Sequence, residues 1–286
     1  MVSLAAPSRL SARERARRAA RGGASRSVPV PLLVPALIAV AFLVLPLVGL
    51  LLRAPWGHLG AALSGTDVTQ ALVLSLWTAT TATGISLVIG VPLAWVLART
   101  SFPGQRLLRA LVTLPLVLPP VVGGVALLLA FGRTGFVGRL LDSWFGLTIP
   151  FTPIAVVMAE TFVAMPFLII TVEGALRSAD QGFEEAAATL GAKRMTVFRR
   201  VTLPMVAPSL GAGAVLCWAR ALGEFGATIT FAGSFPGQTE TMPIAVYYAL
   251  ENDPDAAIAL SLVLLVVSIV VLVSLRDHWL RGGSVA

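Results

Sequence analysis

The feature that most constrains this chain is a series of six long apolar stretches. A helix needs about 20 apolar residues to cross the hydrocarbon core of a bilayer, and each stretch reaches that length. Hydrophobic residues make up 57% of the 286 residues and charged residues only 12%, whereas soluble domains carry about 25% charged residues. We therefore predict an all-α polytopic membrane protein with six transmembrane helices. The predicted spans are residues 30–52, 71–98, 107–131, 150–176, 205–232 and 256–275.

The basic residues predict how these spans are oriented. Most of the 21 Arg and Lys residues precede the first span or follow the second, fourth and sixth spans. Because cytoplasmic loops carry the excess of Arg and Lys, we expect both termini in the cytoplasm and the chain in a bacterial-type cytoplasmic membrane. Topology thus accounts for the net charge of +7, and no nucleic-acid partner is expected. Residues 1–28 are expected to form a disordered basic tail close to anionic lipid head groups.

The sequence lacks the motifs of an enzyme. A Walker A loop needs a Gly-Lys pair to hold phosphates, but the only lysine is Lys193, which follows Ala192. One cysteine, Cys217, excludes an intrachain disulfide, and His58 and His278 lie too far apart along the chain to suggest a metal site. We therefore expect a transport subunit with no catalytic site of its own, no metal and no cofactor.

The segment between the fourth and fifth spans predicts two short helices. Asp180 can cap a helix that begins near Gln181, and Gly191 can end it. A second helix is expected over residues 193–201, with Pro204 ending it at the membrane. Such a corner presents a small-residue face that fits a groove on a partner protein. From the residues alone, an amphipathic linker lying on the membrane surface is an equal alternative.

The spacing in this segment resembles the hallmark of a known family, the inner-membrane permeases of binding-protein-dependent ABC importers. Their hallmark is Glu-Ala-Ala, three residues, Gly, nine residues, Ile, one residue and Leu-Pro. This chain keeps every spacing and departs only in carrying Val201 for Ile. The resemblance implies a type I (MetI-like) permease in which this loop forms a coupling helix that docks on a separate cytoplasmic ATPase. The implied coupling residues are Glu185, Ala186, Ala187, Gly191, Val201, Leu203 and Pro204.

The resemblance also implies a domain organisation. The permease core covers residues 69–275 and includes the coupling loop, 177–204. Residues 29–68, which hold the first transmembrane helix and an outer loop, and the short cytoplasmic C-terminus, 276–286, lie outside the core.

Within the family, the chain is most similar to the molybdate permeases. This resemblance implies a homodimer that receives molybdate from an extracytoplasmic molybdate-binding protein and is energised by ABC ATPase subunits. A sulfate or tungstate importer is the alternative within the family, and an uncoupled channel or structural membrane protein is the alternative outside it. The segments that carry the resemblance are residues 118–124, 219–233 and 236–243.

The fifth predicted span holds a stripe of small residues at intervals of four positions. Such stripes let helices approach closely in a bilayer, so we expect helix packing, with the interface of the dimer around the translocation path as the alternative function of the stripe. The members of the stripe are Gly211, Val215, Ala219, Gly223 and Ala227.

The same span carries Arg220 and Glu224, which lie one helical turn apart. A charge at bilayer depth costs at least about 2.5–3.5 kcal/mol, so buried charges usually pair or face a cavity. We expect an intramembrane ion pair, with Glu160 of the fourth span as a second candidate partner for Arg220. The alternative is that Arg220 contacts the oxyanion in the translocation path.

Overall fold

A computed structural model describes residues 30–57, 59–60 and 65–281 and divides the chain into two compact units, residues 1–52 and 53–286. The predicted basic tail lies outside the described residues. In the first unit, helix α1 covers Val30–Leu52, as the sequence predicts. Its apolar side chains are exposed along most of its length. An apolar helix with this exposure is suited to contact with lipid.

The described part of the second unit consists of helices and contains no strand. Five helices of the described chain, α1 included, are long and apolar enough to cross a membrane, and counting one bent pair as a span gives six. The helices of this unit are α2 Thr66–Arg99, α3 Gln105–Val117, α4 Pro120–Phe131, α5 Phe136–Phe145, α6 Pro153–Ser178, α7 Gly182–Thr189, α8 Arg194–Val197, α9 Leu203–Leu222, α10 Gly226–Ala232, α11 Met242–Asn252 and α12 Pro254–Arg281.

Helix α6 lies at the centre of the second unit and packs against α2 and α9. Small residues allow this close approach. A Cβ atom added to Gly90 of α2 would lie 3.2 Å from the side chain of Ile169, and one added to Gly213 of α9 would lie 3.1 Å from Leu168. Van der Waals packing of this kind is a main source of helix association in a bilayer, where the hydrophobic effect adds little.

The third predicted span is wrong as a single helix. Helices α3 and α4 are separate, and the chain bends by 118° between them. Leu118 and Pro119 have extended backbones with ψ near 130°. Each of them precedes a proline, and the ring of the following proline disfavours the helical conformation. Two successive prolines therefore stop α3 and start α4.

The fifth predicted span is also interrupted. Helix α9 ends at Leu222 and α10 begins at Gly226. At the start of this predicted span, however, Pro204 does not end a helix as predicted, because the helical path is continuous from Arg194 to Leu222. A π-helical turn, Phe198–Thr202, directly precedes α9. In a regular α-helix the ring of Pro204 would clash with the carbonyl group four residues earlier. The π-helical turn is wider than an α-helical turn and lies at this place.

Helices α4 and α10, which follow these two breaks, are in direct backbone contact. A Cβ atom on Gly124 would lie 2.7 Å from the carbonyl oxygen of Ala227, and one on Gly226 would lie 3.0 Å from Pro120. Gly124 is therefore required by the approach of the two backbones, and Gly226 makes a tight contact with Pro120 and Val121.

We predict that Gly124→Ala destabilises the protein, because the backbone atoms that the new methyl group meets cannot give way. Overpacking of this kind costs about 1–3 kcal/mol, which corresponds to a fall of roughly 5 °C in the unfolding temperature of a chain of this size. The measurement is thermal unfolding in detergent micelles.

The matched control is Gly84→Ala in α2, where an added Cβ meets nothing within 4 Å. This substitution should leave stability unchanged or raise it slightly, since alanine favours helix. Equal unfolding temperatures for the two variants would contradict the close contact.

Candidate functional site

The coupling helix predicted from the hallmark is α7, Gly182–Thr189. Its start is fixed by Asp180, whose Oδ1 accepts a hydrogen bond of 2.9 Å from the backbone N–H of Gly182. Its end is fixed by Gly191, which has a φ of +83°, while the N–H of Ala192 donates to the carbonyl of Ala187 at 3.1 Å. This is the glycine-terminated helix end that satisfies the last carbonyl groups. The predicted short helix is confirmed.

The apolar side chains of this corner are accessible in the single chain. Phe183 is 62% exposed and Leu190 is 89% exposed, and between them Glu185 and Ala186 are also exposed. Large apolar side chains that cluster on a surface indicate an interaction site. We name the surface of α7 and the following turn, residues 182–191, the coupling surface.

The coupling surface is joined to the transmembrane helices by an ion pair. The Arg99 Nη2 atom, at the end of α2, lies 2.8 Å from Glu184 Oε1 of α7. Only 6% of the Arg99 side chain is exposed, so water screens this pair weakly. Sequence reasoning did not identify Arg99, because 85 positions separate it from Glu184 and no periodicity connects them.

A second cluster joins the ends of α3, α6 and α2 nearby. Glu173 Oε1 lies 2.8 Å from Arg109 of α3 and 3.0 Å from Arg177 of its own helix. The carbonyl oxygen of Leu97 accepts hydrogen bonds from Arg109, Arg177 and Gln105. These contacts connect three helices directly beside the coupling surface.

The remaining hallmark residues lie outside α7. Val201 belongs to the π-helical turn and is half-buried, and Leu203 and Pro204 begin α9. The hallmark therefore covers the coupling surface and its continuous helical connection to the transmembrane part. The structure brings these residues into one loop, and their contact with a partner stays a prediction.

The structure brings Arg220 and Glu224 together. Arg220 Nη2 lies 2.7 Å from Glu224 Oε2, with 27% of the Arg220 side chain and 1% of the Glu224 side chain exposed. The other carboxylate oxygen of Glu224 accepts a hydrogen bond of 2.8 Å from the N–H of Ala227. Glu224 thus connects the last turn of α9 to the first turn of α10 across the break.

Glu160 does not serve as the partner of Arg220. It is buried in α6, and its Oε1 accepts a hydrogen bond of 2.9 Å from the hydroxyl of Thr78 in α2. Its Oε2 has no hydrogen-bond partner among the described residues. The carboxyl group therefore links the two central helices.

The predicted stripe of small residues does not form one helix face. Val215 and Ala227 are buried, Gly211 is half-buried, and Ala219 and Gly223 are exposed. The reason is the end of α9 at Leu222, which places Gly223 in the break and Ala227 on α10. A continuous stripe is therefore wrong, and the packing role of its members stays a prediction.

Two of the three segments that carry the molybdate-permease resemblance meet in space. The segment 118–124 starts α4 and the segment 219–233 includes α10, and the two helices are in contact through Gly124 and Gly226. The third, 236–243, forms a turn that is held to α2 by a hydrogen bond of 2.7 Å from the N–H of Met242 to the hydroxyl of Ser75.

Comparison with known proteins identifies the family. Residues 90–281 match the family described as the binding-protein-dependent transport system inner membrane component. The chain belongs to this family. It is 50% identical over 237 residues to the molybdenum transport system permease protein ModB of Mycobacterium tuberculosis, covering 83% of this chain and 89% of the relative.

Two further relatives of the chain belong to bacteria outside the genus Mycobacterium. The ModB protein of Escherichia coli K12 is 42% identical over 215 residues, which cover 75% of this chain and 94% of the relative. The sulfate transport system permease protein CysT of Salmonella typhimurium is 36% identical over 245 residues, which cover 84% and 88%.

Solved structures show the same fold. A bacterial ABC transporter involved in the import of the acidic polysaccharide alginate matches with a TM-score of 0.70 at 21% identity, covering 89% of this chain and 95% of the other. The MetNI methionine ABC transporter matches with a TM-score of 0.56 at 21% identity, covering 76% and 98%. The predicted type I, MetI-like permease architecture is confirmed.

The ion pair across the break generates a prediction about stability. Arg220→Met leaves the buried Glu224 carboxylate without its cation. Breaking a buried pair on one side costs about 3–5 kcal/mol, and partial exposure of Arg220 favours the lower value. Arg220→Met combined with Glu224→Gln should recover most of this loss, because a neutral amide can still accept from the N–H of Ala227. The measurement is the unfolding temperature in detergent micelles.

Arg139→Met serves as the control, since Arg139 is an exposed arginine of α5, and its unfolding temperature should stay unchanged. A double variant as unstable as Arg220→Met would show that the pair does not act through charge neutralisation.

Proposed function

We propose that this chain is the membrane-spanning permease subunit of an ATP-driven importer of molybdate. The observation that carries the proposal is the coupling surface, where exposed Phe183 and Leu190 lie on a short helix at the hallmark spacing and Arg99 attaches that helix to α2. A permease without a nucleotide site needs such a surface in order to receive energy from a separate ATPase.

Molybdate is favoured over sulfate as the cargo by similarity. The relatives named as molybdenum permeases are 40–50% identical to this chain, whereas the sulfate permease is 36% identical. Molybdate and sulfate are both tetrahedral dianions, so charge alone separates them poorly. An extracytoplasmic binding protein would select the anion before the permease receives it.

The proposed assembly is a homodimer of this chain with two ATPase subunits on the cytoplasmic side, where both termini lie. When the ATPase subunits close on ATP, they displace the two coupling surfaces. The Arg99–Glu184 pair transmits this displacement to α2, and the dimer turns outward to accept the anion.

We also propose that Arg220 offers positive potential to the anion on its path. Its side chain is partly exposed at the break of the fifth span, and its pairing with Glu224 neutralises much of its charge. Partial neutralisation suits transport, because a path that binds its cargo tightly would not release it. Uptake is measured in the double variant Arg220→Met with Glu224→Gln, because we expect this variant to keep most of its stability. Unchanged uptake would overturn the role of Arg220.

The coupling role predicts that Gly191→Asp abolishes molybdate uptake while the protein still inserts and folds. An added Cβ at Gly191 meets nothing within 4 Å in this chain, so we expect the new carboxylate to act on a partner or, through the strain of the positive φ, on the local backbone. Uptake by whole cells, the amount of folded protein and co-purification of the ATPase are the three measurements.

Gly146→Asp is the matched control for this variant. Gly146 also has a positive φ, of 64°, and a Cβ added to it meets nothing within 4 Å, but it follows α5 and lies far from α7 in the sequence. Uptake should survive there. Wild-type uptake by Gly191→Asp, or equal loss in both variants, would refute the coupling role.

The cargo is tested by element content in cells that lack the gene, with and without its restoration. We expect molybdenum content to fall in the deleted strain and to return with the gene, while sulfur stays constant. Tungsten is counted in the same samples, since tungstate is also a tetrahedral dianion. A fall in sulfur would move the cargo to sulfate, and no change in any of the three elements would reject an oxyanion importer.

A further inference from the structure

Two adjoining cavities lie beside the start of α8. The first is a cleft of about 230 Å³ between the end of α2 and α8, and the second is a pocket of about 360 Å³ along the following turns. They share Met195. The cleft is lined by Pro92, Trp95, Val96, Arg194, Met195 and Phe198. The pocket is lined by Met195, Thr196, Arg199 and Arg200.

The two cavities differ in chemistry. Apolar side chains form most of the cleft, and the rings of Trp95 and Phe198 make one of its walls in an edge-to-face contact with 6.1 Å between their centroids. Arginines dominate the pocket. The apolar cleft and the cationic pocket therefore adjoin each other.

Their position relative to the helix ends matches the boundary of a membrane. Helix α2 ends at Arg99, and the continuous helical path into α9 begins at Arg194. Val96 and Pro92 lie three and seven residues before the end of α2, which is about 4–10 Å at the helical rise of 1.5 Å per residue. The cleft thus extends inward along α2 from its end and lies next to Arg194, where the helical path into α9 begins.

Within the described residues, this place holds charged and polar groups that have no partner. Among the residues that the structure describes, no acidic side chain forms an ion pair with Arg194, Arg199 or Arg200. The indole N–H of Trp95 is buried and has no acceptor in the described part of the chain. The three arginines can therefore take up a ligand with anionic oxygen atoms, and Trp95 contributes its ring to the cleft.

We propose that the two cavities bind one anionic phospholipid, with an acyl chain in the cleft and the phosphate against Arg194, Arg199 and Arg200. Arginine binds phosphate through paired hydrogen bonds, and basic pockets between transmembrane helices are suited to anionic head groups. This site goes beyond the proposed function and requires only that the chain spans a membrane. Its ligand is structural and independent of the transported anion.

A lipid fits this place better than a small anion or a protein. A free phosphate ion would occupy the arginines and leave the apolar cleft empty. A protein partner has its own exposed surface at Phe183 and Leu190, whereas the cleft lies beside the apolar stretch of α2 and is therefore reached from the hydrocarbon phase. Both alternatives are outcomes of the following test.

The test uses the full chain in nanodiscs and bromine quenching of tryptophan fluorescence. Brominated phosphatidylglycerol or brominated phosphatidylcholine replaces part of the unlabelled phosphatidylcholine. The difference between the chain and its Trp95→Phe variant isolates the fluorescence of Trp95 from the other five tryptophans of the six in the chain. The measured quantity is the mole fraction of brominated lipid that quenches half of the Trp95 fluorescence. We expect this mole fraction to be about tenfold lower for phosphatidylglycerol than for phosphatidylcholine, because each basic residue adds to the binding free energy of an anionic lipid.

Three variants locate the head group. Replacement of Arg194, Arg199 and Arg200 by glutamine should abolish the preference for phosphatidylglycerol, and replacement of the same three residues by lysine should retain it. Arg139→Gln, in an exposed arginine outside both cavities, should also retain it. The lysine variant shows that charge, and not folding, is responsible for the loss in the glutamine variant.

Several results would overturn the proposal. Equal quenching by the two lipids in the unaltered chain would exclude an anionic lipid site. Retention of the preference in the glutamine variant would place the phosphate elsewhere. Loss of the preference in excess inorganic phosphate would indicate a small-anion pocket, and its loss in the complex with the ATPase would indicate that the cavities belong to the protein interface.

Discussion

The structure depends on how the backbone is satisfied where two apolar segments break. In a bilayer, free N–H and C=O groups have no water to bind, so non-helical backbone is tolerated only where protein covers it. Here the breaks before α4 and α10 cover each other, because Gly124 and Gly226 let the two backbones touch. Glu224 completes the arrangement by accepting from the N–H of Ala227 while it pairs with Arg220. One carboxylate thus neutralises a charge and caps a helix at the same place.

The sequence predicted the positions of the spans well because hydropathy is a local property. The ends of helices α2, α6 and α12 lie within six residues of the ends of the predicted spans. Helix α1 has the predicted bounds. The breaks escaped prediction for a different reason. Prolines and glycines are tolerated in transmembrane helices when neighbours satisfy the freed groups, and whether neighbours do so is decided by tertiary contacts. The two prolines 119 and 120 end α3, whereas Pro204 ends nothing.

The candidate site shows the same division between local and long-range information. Asp180, Gly191 and the intervening helix could be predicted, since caps and glycine ends act within a few residues. The one-turn spacing of Arg220 and Glu224 likewise pointed to a pair. The attachment of α7 by Arg99 could not be predicted, because a contact between residues 85 positions apart arises only from the packing of α2 beside α6.

The packing of α2 against α6 is reinforced by polar contacts. Glu160 and Glu173 lie on α6, 13 residues and therefore about 20 Å apart. The first accepts from Thr78 of α2, and the second binds Arg109, whose guanidinium also reaches the carbonyl of Leu97 in α2. The two helices are therefore joined by polar contacts near both ends as well as by the apolar core between them. Under the proposed coupling role, a displacement of α7 would act on this joined pair and, through the opposite part of α6, on the region of the breaks that packs against it.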